Sequence, residues 1–276
     1  MRTQLHLESD SLLFGNNYIR PRYKWSLLLK QLPQAIKAII KFSNFWTLFV
    51  KIFSKTDQQS LLLTRDGLKI LIRDNIWDSR IVWELFLEKP YTKNLALPKS
   101  PVVIDIGSYI AGFSLYAAKY LNAMVFAYEP IKENYTLARE NIKMNNLEAK
   151  IKLFPLAVGP KNFEYINVIK SGQEIHASSH FYKNKGTRKT KAISLTNIIK
   201  SNSLRKVDLL KLDCEGAEYA ILEATPNQIF TKIQNIVFEI HQIPSYKKRA
   251  TKLSRVLKDA GYLIHRHGPI VYASRD

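Results

Sequence analysis

Residues 102–113 read VVIDIGSYIAGF. The first five form an apolar run broken only by Asp105, and Gly107 follows directly, where a chain can turn sharply and approach a ligand closely. A helix is expected from Ala111 to Leu121. A strand that is apolar along its length belongs in a parallel sheet covered on both faces. This segment therefore predicts a β-α unit of such a sheet, with a binding site outside the carboxyl end of its strand.

The same alternation continues along the chain. Further buried strands are predicted at 123–128, 150–157, 207–212 and 236–240, and an amphipathic helix at 133–145. Residues 262–266 and 270–274 flank His267-Gly268-Pro269, which predicts a final hairpin. We expect an α/β fold with a doubly wound, mostly parallel seven-stranded sheet, an antiparallel C-terminal strand and a helical N-terminal extension.

The sequence divides into three regions. Residues 1–60 form a basic extension expected to be helical, with nine basic against three acidic residues. Residues 61–100 are predicted to form a β-hairpin, turning at Asp66-Gly67, and a helix from Ser79 to Glu88. Residues 101–276 form the main domain. Within it, residues 170–191 are polar and basic, which favours a solvated loop; an acceptor-binding or anion-binding insertion is the alternative.

The N-terminal extension carries an amphipathic stripe between Gln34 and Lys55. Its apolar residues recur at intervals of three and four, as on one face of a helix. They are Ile36, Ile39, Ile40, Trp46, Phe49, Val50 and Phe53. Two interpretations stay open: a helix packed on the main domain with its lysines in water, or a basic helix resting on an acidic membrane.

The composition restricts the partners and the compartment. Forty-two basic against 23 acidic residues give a net charge of +19 and a pI of about 9.8. This favours anionic partners such as nucleic acid, acidic lipid headgroups or acidic glycans. The single Cys214 excludes an intrachain disulfide framework and a multi-cysteine zinc site. No run of about 20 apolar residues escapes charge, so no transmembrane helix is predicted. A cytoplasmic protein is expected, with peripheral membrane contact through residues 34–55 as an option.

A carboxylate ends the second predicted strand of the main domain. Glu129 lies 22 residues beyond Gly107 and is followed by Pro130. An acid about 20 positions beyond the glycine turn typically binds the two ribose hydroxyls of a nucleotide cofactor. Together with Asp105 and Gly107, it predicts adenosine binding.

The glycine pattern separates the adenosine cofactors. A dinucleotide needs G-x-G-x-x-G, so that its pyrophosphate can sit on the helix N-terminus. Residues 107–112 read GSYIAG and lack the middle glycine, and Tyr109 would crowd a pyrophosphate. Asp105 repels phosphate but suits the positively charged amino-acid part of S-adenosylmethionine. The pattern favours a methyltransferase over a nicotinamide dehydrogenase.

A second polar cluster follows a later strand, where residues 207–218 read VDLLKLDCEGAE. Lys211, Asp213 and Glu215 alternate and so share a face at the strand's carboxyl end. His241 ends the next strand on the same rim, and histidine suits general-base chemistry. We expect His241 or Asp213 to remove a proton from an acceptor hydroxyl, with Glu215 orienting the acceptor. Asp213 and Glu215 alone are too few ligands to predict a metal site. For Glu218 and Lys211, a helix cap with a salt bridge is the alternative.

Five motifs together resemble the FkbM family of S-adenosylmethionine-dependent methyltransferases. They are VVIDIG (102–107), AYEP (127–130) followed by Asn134 and Asn141, PLAVG (155–159), VDLLKLDCEGAE (207–218) and FEIH (238–241). The resemblance covers roughly residues 60–275, and Lys-x-Asp-x-Glu-Gly-x-Glu is its most specific part. It implies a class I methyltransferase sheet, usually acting on hydroxyl oxygens of sugars, polyketides or other small or glycosylated acceptors.

The resemblance also implies site residues. Asp105, Gly107 and Glu129 would line the cofactor site, with Asp213, Glu215 and His241 nearby. The residues we assign to cofactor binding are Asp105, Gly107, Ser108, Tyr109, Glu129, Pro130, Ala157 and Asp213. The family usually reads Asp-x-Gly-Ala-Asn-x-Gly, whereas this chain has Ser108, Tyr109 and Ala111. Gly112, one residue later, is the candidate to replace the second glycine.

Two further classes of function stay open. A nucleic-acid-directed methyltransferase fits the charge of +19. Such enzymes usually carry an Asn-Pro-Pro-aromatic or Asp-Pro-Pro-aromatic run after the fourth strand, where this chain has Asp-Cys-Glu-Gly, so nucleic acid is the less favoured partner. A non-catalytic binding protein at an acidic surface would use the basic N-terminal extension. The favoured prediction is O-methylation of a small-molecule or glycan acceptor.

Overall fold

The computed structural model describes residues 36–47, 59–73, 76–162, 165–171, 174–178, 187–240 and 246–275. Within them the strands are β1 (Ser60–Leu63), β2 (Lys69–Ile72), β3 (Val102–Ile106), β4 (Met124–Tyr128), β5 (Ile151–Phe154), β6 (Ala157–Gly159), β7 (Tyr165–Ser171), β8 (Glu174–Ser178), β9 (Thr187–Ser194), β10 (Val207–Leu212), β11 (Ile233–Glu239), β12 (Leu263–His267) and β13 (Ile270–Ser274). The helices are α1 (Ile76–Trp83), α2 (Gly112–Tyr120), α3 (Lys132–Met144), α4 (Leu195–Ser201), α5 (Glu218–Glu223), α6 (Asn227–Phe230) and α7 (Tyr246–Asp259). A π-helical turn, Glu84–Glu88, continues α1.

A seven-stranded sheet forms the centre, in the order β12-β13-β11-β10-β3-β4-β5. The pairs from β11 to β5 are parallel, and β13 is antiparallel to both of its neighbours. The predicted fold class is confirmed. In the sheet, β3 has β4 on one side and β10 on the other. The chain therefore first builds the sheet from β3 towards β5 and later returns to the opposite side of β3. Such a topological switch point opens a crevice at the carboxyl ends of the strands.

Alternate residues of the central strands face two separate cores. Val103, Leu209 and Val237 belong to the hydrophobic cluster that also holds the N-terminal hairpin and α2. Ile104, Leu210 and Ile236 belong to the cluster under α5 and α7. Because side chains alternate along a strand, Asp105, Lys211 and Asp213 share the face of the first cluster. This alternation decides which helices and loops can reach them.

The N-terminal hairpin is confirmed, but the long helix before it is wrong for the described residues. Strands β1 and β2 pair antiparallel around the Asp66-Gly67 turn. Among the described residues the helix spans 36–41 and is interrupted before helical residues recur at 46–47, because Phe42 pairs with Thr64 and the Ser43 N–H donates to the Leu63 carbonyl. Ala38 and Phe42 are buried, whereas Ile40 of the predicted stripe is 67% exposed. Residues 48–55 lie outside the described residues.

The basic segment 170–191 is not simply a loop, since its described residues include β8 and part of β9. These strands form a small sheet in the order β6-β9-β7-β8. Backbone groups form the ladder, and Tyr165 pairs with Lys191 across β7 and β9. Charged side chains therefore do not prevent a strand, and composition alone misjudged this segment. Among the described residues, no helix is long and apolar enough to cross a bilayer.

Candidate active site

Asp105 and Lys211 form a buried ion pair beneath the crevice. They are register partners on the neighbouring strands β3 and β10, and Lys211 Nζ lies 2.9 Å from Asp105 Oδ1. Ser114 of α2 donates to Asp105 Oδ2 at 2.6 Å. Burial acts to lower the pKa of Lys211, but the charges of Asp105 and Asp213 and the hydrogen bond to Asp105 together raise it. The Asp105 carboxylate is thus engaged by the protein itself rather than by the crevice surface.

Gly107 lets the chain turn directly after β3, with a φ of 77°. The N–H groups of Gly107 and Ser108 donate to the Tyr128 carbonyl at 3.0 and 3.1 Å. Lys211 Nζ donates to the Gly107 carbonyl at 2.8 Å. A Cβ atom at position 107 would lie 1.9 Å from the carbonyl oxygen of Asp213. Glycine is therefore required for the turn to fit between the ends of β4 and β10.

The loop ends in a left-handed residue, and that residue is Ala111 rather than Gly112. Ala111 has a φ of 64° immediately before α2. It occupies the position where the resembled family usually has glycine, and an L-residue pays about 1–2 kcal/mol for this conformation. A Cβ atom on Gly112 would lie 2.8 Å from Leu85 Cδ1. The expectation that Gly112 replaces the missing glycine is wrong: its small size serves packing against the π-helical turn.

Glu129 lies at the end of β4, buried beside the loop. Its Oε2 accepts from the Tyr109 N–H at 2.9 Å, and its Oε1 accepts from the Ile131 N–H at 2.9 Å and from Asn134 Nδ2 at 3.4 Å. Burial raises the pKa of Glu129 to about 7, although these hydrogen bonds act in the opposite direction. The carboxyl therefore changes charge near neutral pH.

Tyr109 anchors the loop to the N-terminal region. Its hydroxyl donates to Asp78 Oδ1 at 2.6 Å, and Arg73 holds the same carboxylate through Nη2 and Nε at 2.9 and 3.0 Å. Arg73 Nη1 also donates to Asn134 Oδ1 at 2.8 Å. Since Asn134 contacts Glu129 as well, a continuous polar network joins β2, α1, the loop and α3. The substitution of Tyr for Asn at position 109 is explained by this network.

Asp213 lies directly after β10, half-buried at the edge of a small cavity. The cavity holds about 40 Å³, enough for a few water molecules or a small reacting group. Tyr91 donates its hydroxyl proton to Asp213 Oδ2 at 2.8 Å. Ser108 lines the same cavity and is buried, and its Oγ has no hydrogen-bond partner among the described residues. The Asp213 carboxylate and the Ser108 hydroxyl therefore line the same small cavity.

The other predicted residues are spread more widely. Glu215 lies in the turn before α5 with a φ of 54°, half-buried and not among the residues lining the cavity. Pro130 is half-buried beside Glu129, and Ala157 begins β6, where it is buried opposite Ala192. His241 lies outside the described residues. The structure thus brings together the loop, Glu129 and Asp213.

Sequence reasoning missed three contributors to the site. Tyr91 reaches Asp213 across 122 positions. Arg73, which follows the hairpin, lies over the Tyr109 ring at 5.0 Å, and Asp78 of α1 accepts from the Tyr109 hydroxyl. No sequence motif marks them. Glu218, for which a helix cap was the alternative interpretation, accepts from the Cys214 N–H through Oε1 at 2.7 Å, four residues before α5 begins. Within the described ranges, no group of three or more His, Cys, Asp or Glu residues is placed to hold a metal ion.

Comparison with known proteins finds similar sequences among methyltransferases. The family model "Methyltransferase FkbM domain" matches residues 105–264. Methyltransferase sdnD of Sordaria araneosa is 25% identical over 240 residues, covering 74% of this chain and 90% of its own. Hexuronic acid methyltransferase AglP of Haloferax volcanii is 23% identical over 180 residues, covering 60% and 70%. The crystal structure of methyltransferase FkbM from Methylobacillus flagellatus KT has a TM-score of 0.45 and 15% identity, covering 72% of this chain and 54% of that one.

Proposed function

This chain belongs to the FkbM methyltransferase family, and from that premise we propose that it transfers a methyl group from S-adenosylmethionine to a hydroxyl group of its acceptor. The observation that carries the proposal lies within the matched region. Glu129 and Asp213 flank the Gly107 loop, since Glu129 accepts from the Tyr109 N–H and Asp213 contacts Gly107 through its backbone. Acidic groups on either side of a glycine turn suit a cationic nucleoside.

The described residues fit this cofactor chemically. A carboxylate has about four acceptor sites, so Glu129, which accepts three hydrogen bonds from described residues, keeps capacity for a ribose hydroxyl. The buried Ser108 Oγ has no partner in the described part of the chain and would be available to a bound molecule. Gly107, Ser108, Tyr109 and Glu129 would hold the cofactor, with Pro130 and Ala157 as further proposed contacts. When bound, S-adenosylmethionine supplies an activated methyl group.

The chain's own residues would orient the acceptor and move its proton. Asp213 would accept the proton that the acceptor hydroxyl releases as its oxygen bonds to the methyl carbon, whose bond to sulfur would break to leave S-adenosylhomocysteine. Orientation of the reacting groups can contribute about 7–11 kcal/mol to lowering the barrier, and a general base adds about 10²–10⁴-fold. Glu215 would orient the acceptor, and His241 is the alternative base. Lys211 is committed to Asp105 and would hold the loop rather than the substrate.

The acceptor we propose is an anionic molecule that carries hydroxyl groups, such as an acidic sugar or glycan. The net charge of +19 favours negatively charged substrates. One relative is named a hexuronic acid methyltransferase. Transfer of labelled methyl to a hexuronic acid, but not to the corresponding neutral hexose, would support this class, and the reverse preference would contradict it.

Cofactor binding has a specific pH signature. Ribose hydroxyls donate to an ionised carboxylate, and the pKa of Glu129 is about 7. The affinity for S-adenosylhomocysteine should therefore rise as pH increases through 7, by about tenfold between pH 6 and pH 8. Isothermal titration calorimetry measures it, and Glu129→Gln should abolish the pH dependence. Absence of binding heat at pH 8 with well-folded wild-type chain would refute the proposed function.

A further inference from the structure

The segment 36–47 exposes several large apolar side chains. Among the described residues, seven large hydrophobic side chains are exposed, and four of them lie in this short segment. They are Ile36, Ile39, Ile40 and Trp46, which are between 40% and 67% exposed. We call these four side chains the apolar patch. Single apolar side chains are normal on a surface, but their concentration in one place marks a surface that contacts a partner or a membrane.

Helical geometry and burial place three of these side chains on one outward face. Ile36, Ile39 and Ile40 are spaced i, i+3 and i+4 within the helix 36–41, so they are neighbours on its surface. Ala38 and Phe42, four residues apart, form the inward face and are fully buried. The core therefore takes one small residue and one phenylalanine from this segment, and the isoleucines are left outside it.

Hydrogen bonds to the N-terminal hairpin fix the segment in this orientation. Asn44 Nδ2 donates to the Leu61 carbonyl at 2.7 Å, and Asn44 Oδ1 accepts from the Leu63 N–H at 2.8 Å. The Arg65 N–H donates to the Lys41 carbonyl at 2.9 Å. Burying the apolar patch against the main domain would require the segment to rotate and to break these bonds. The exposure of the patch therefore follows from the fold.

Positive charge accompanies the apolar patch. Lys37 is exposed on the same helix, and the exposed Arg65 donates through Nε to the Ile39 carbonyl at 3.0 Å. Lys41 differs, because Asp66 balances its charge at a distance of 3.0 Å. The whole chain carries +19, and residues 1–60 hold nine basic and three acidic residues. A surface that is both apolar and cationic is typical of segments that lie on acidic bilayers.

We propose that the apolar patch inserts into the headgroup region of a membrane containing acidic lipids, so that the protein is held at that surface. Acidic headgroups would attract Lys37 and Arg65 while the isoleucines leave water, and tryptophan favours the membrane–water interface, which suits Trp46. A second copy of the chain is a less suitable occupant, because it would bring two positively charged surfaces together. The proposal does not depend on methyl transfer.

Vesicle flotation of the full chain tests the proposal, with vesicles of phosphatidylcholine alone and of equal parts phosphatidylcholine and phosphatidylserine. The patch variant Ile40→Ser/Trp46→Ser removes two apolar side chains and no charge. Its matched control, Met124→Ser/Leu263→Ser, removes two apolar side chains that are 37% and 55% exposed elsewhere on the surface. Both variants keep the charge of +19, so nonspecific attraction to acidic lipid is the same for each. Circular dichroism establishes that they are folded, and size-exclusion chromatography reports their oligomeric state.

We expect the wild type and the control to float with the acidic vesicles and not with the neutral ones. The patch variant should bind the acidic vesicles at least about tenfold more weakly, since two of its side chains no longer gain by leaving water. Lys37→Gln should weaken this binding about fivefold, whereas Lys248→Gln, on α7, should not change it.

Equal binding of the patch variant and the control would overturn the proposal, because charge alone would then hold the chain at the vesicle. Equal binding of neutral and acidic vesicles by the wild type, or no vesicle binding at all, would overturn it as well. A wild-type dimer that the patch variant does not form, without vesicle binding, would assign the apolar patch to a second copy instead. Calorimetry with S-adenosylhomocysteine is independent of these results, so methyl transfer and membrane attachment can fail separately.

Discussion

Replacing Lys211 by Met removes the cation of the buried ion pair that supports the cofactor loop. Asp105 is fully buried and Lys211 is 3% exposed, so neither charge is solvated by water. Breaking a buried pair by removing one partner leaves an uncompensated charge, which costs about 3–5 kcal/mol. Ser114 would still donate to Asp105, but the Gly107 carbonyl would also lose its lysine donor. We therefore expect a loss of about 3–5 kcal/mol in the free energy of unfolding.

The chain offers a matched control in Lys206→Met. Lys206 Nζ lies 3.0 Å from Asp208 Oδ1, nearly the same separation as the 2.9 Å of Lys211 and Asp105. The Lys206 side chain is 60% exposed, however. Exposed pairs contribute about 0–1 kcal/mol, because water solvates and screens the charges. Because the two ion pairs have nearly the same N–O distance, a difference between the stability losses of the two variants reports the effect of burial.

Urea unfolding at pH 7, followed by circular dichroism, measures both variants. The free energies come from the midpoint and slope, and an unchanged slope shows that the same surface unfolds. A loss of about 3–5 kcal/mol corresponds to a decrease of about 6–20 °C in Tm. In the double variant Lys211→Met/Asp105→Asn no buried charge is left unpaired, so most of the loss should be recovered. This variant keeps the test informative if Lys211→Met does not fold.

One result would refute this reasoning. If Lys211→Met and Lys206→Met differ by less than about 1 kcal/mol, the buried pair behaves like a surface pair. A double variant no more stable than Lys211→Met would equally exclude an unpaired Asp105 charge as the cause. The loss would then lie in packing around the lysine stem.

Gly107→Ala should prevent the loop from closing on β10, because its Cβ atom would lie 1.9 Å from the Asp213 carbonyl oxygen. The control Gly67→Ala has a φ of 86° but no atom within 4 Å of the new Cβ. It should lose only about 1–2 kcal/mol of unfolding free energy, measured by urea unfolding. Equal losses in the two variants would show that the contact relaxes freely. Glu129 titrates at about 7 in the folded chain but near 4.5 when unfolded, so the folded state binds its proton more tightly and stability should fall as pH rises from about 4.5 to 7. In the wild type this fall in the free energy of unfolding should be on the order of 3 kcal/mol, and Glu129→Gln should abolish it. The same fall in the variant as in the wild type would contradict the raised pKa of Glu129.

Local patterns in the sequence predicted the architecture and part of the site. The apolar runs of the central strands and the Asp66-Gly67 turn depend on neighbouring residues only, and they appear where they were expected, except that the strand predicted at 150–157 is two strands, β5 and β6, in different sheets. The loop, Glu129 and Asp213 were predicted to converge because parallel strands end at one edge. The three- and four-residue spacing of apolar residues predicted an uninterrupted helix through residues 36–47, but the pairing of Phe42 with Thr64 interrupts it. The sequence also suggested that Gly112 replaces the missing glycine of the loop, but Ala111 adopts the left-handed conformation instead.

The succession of strands along the chain, the carboxylates at their ends and the resemblance to the family follow from the sequence itself, since each depends on residue type and short spacing. Tertiary structure alone decided how those carboxylates are used. It paired Asp105 with Lys211, raised the pKa of Glu129 through burial and brought Tyr91 to Asp213 across 122 positions. The physical reason is that charge state and hydrogen bonding depend on which groups share a low-dielectric space, and folding brings together groups that are far apart along the chain.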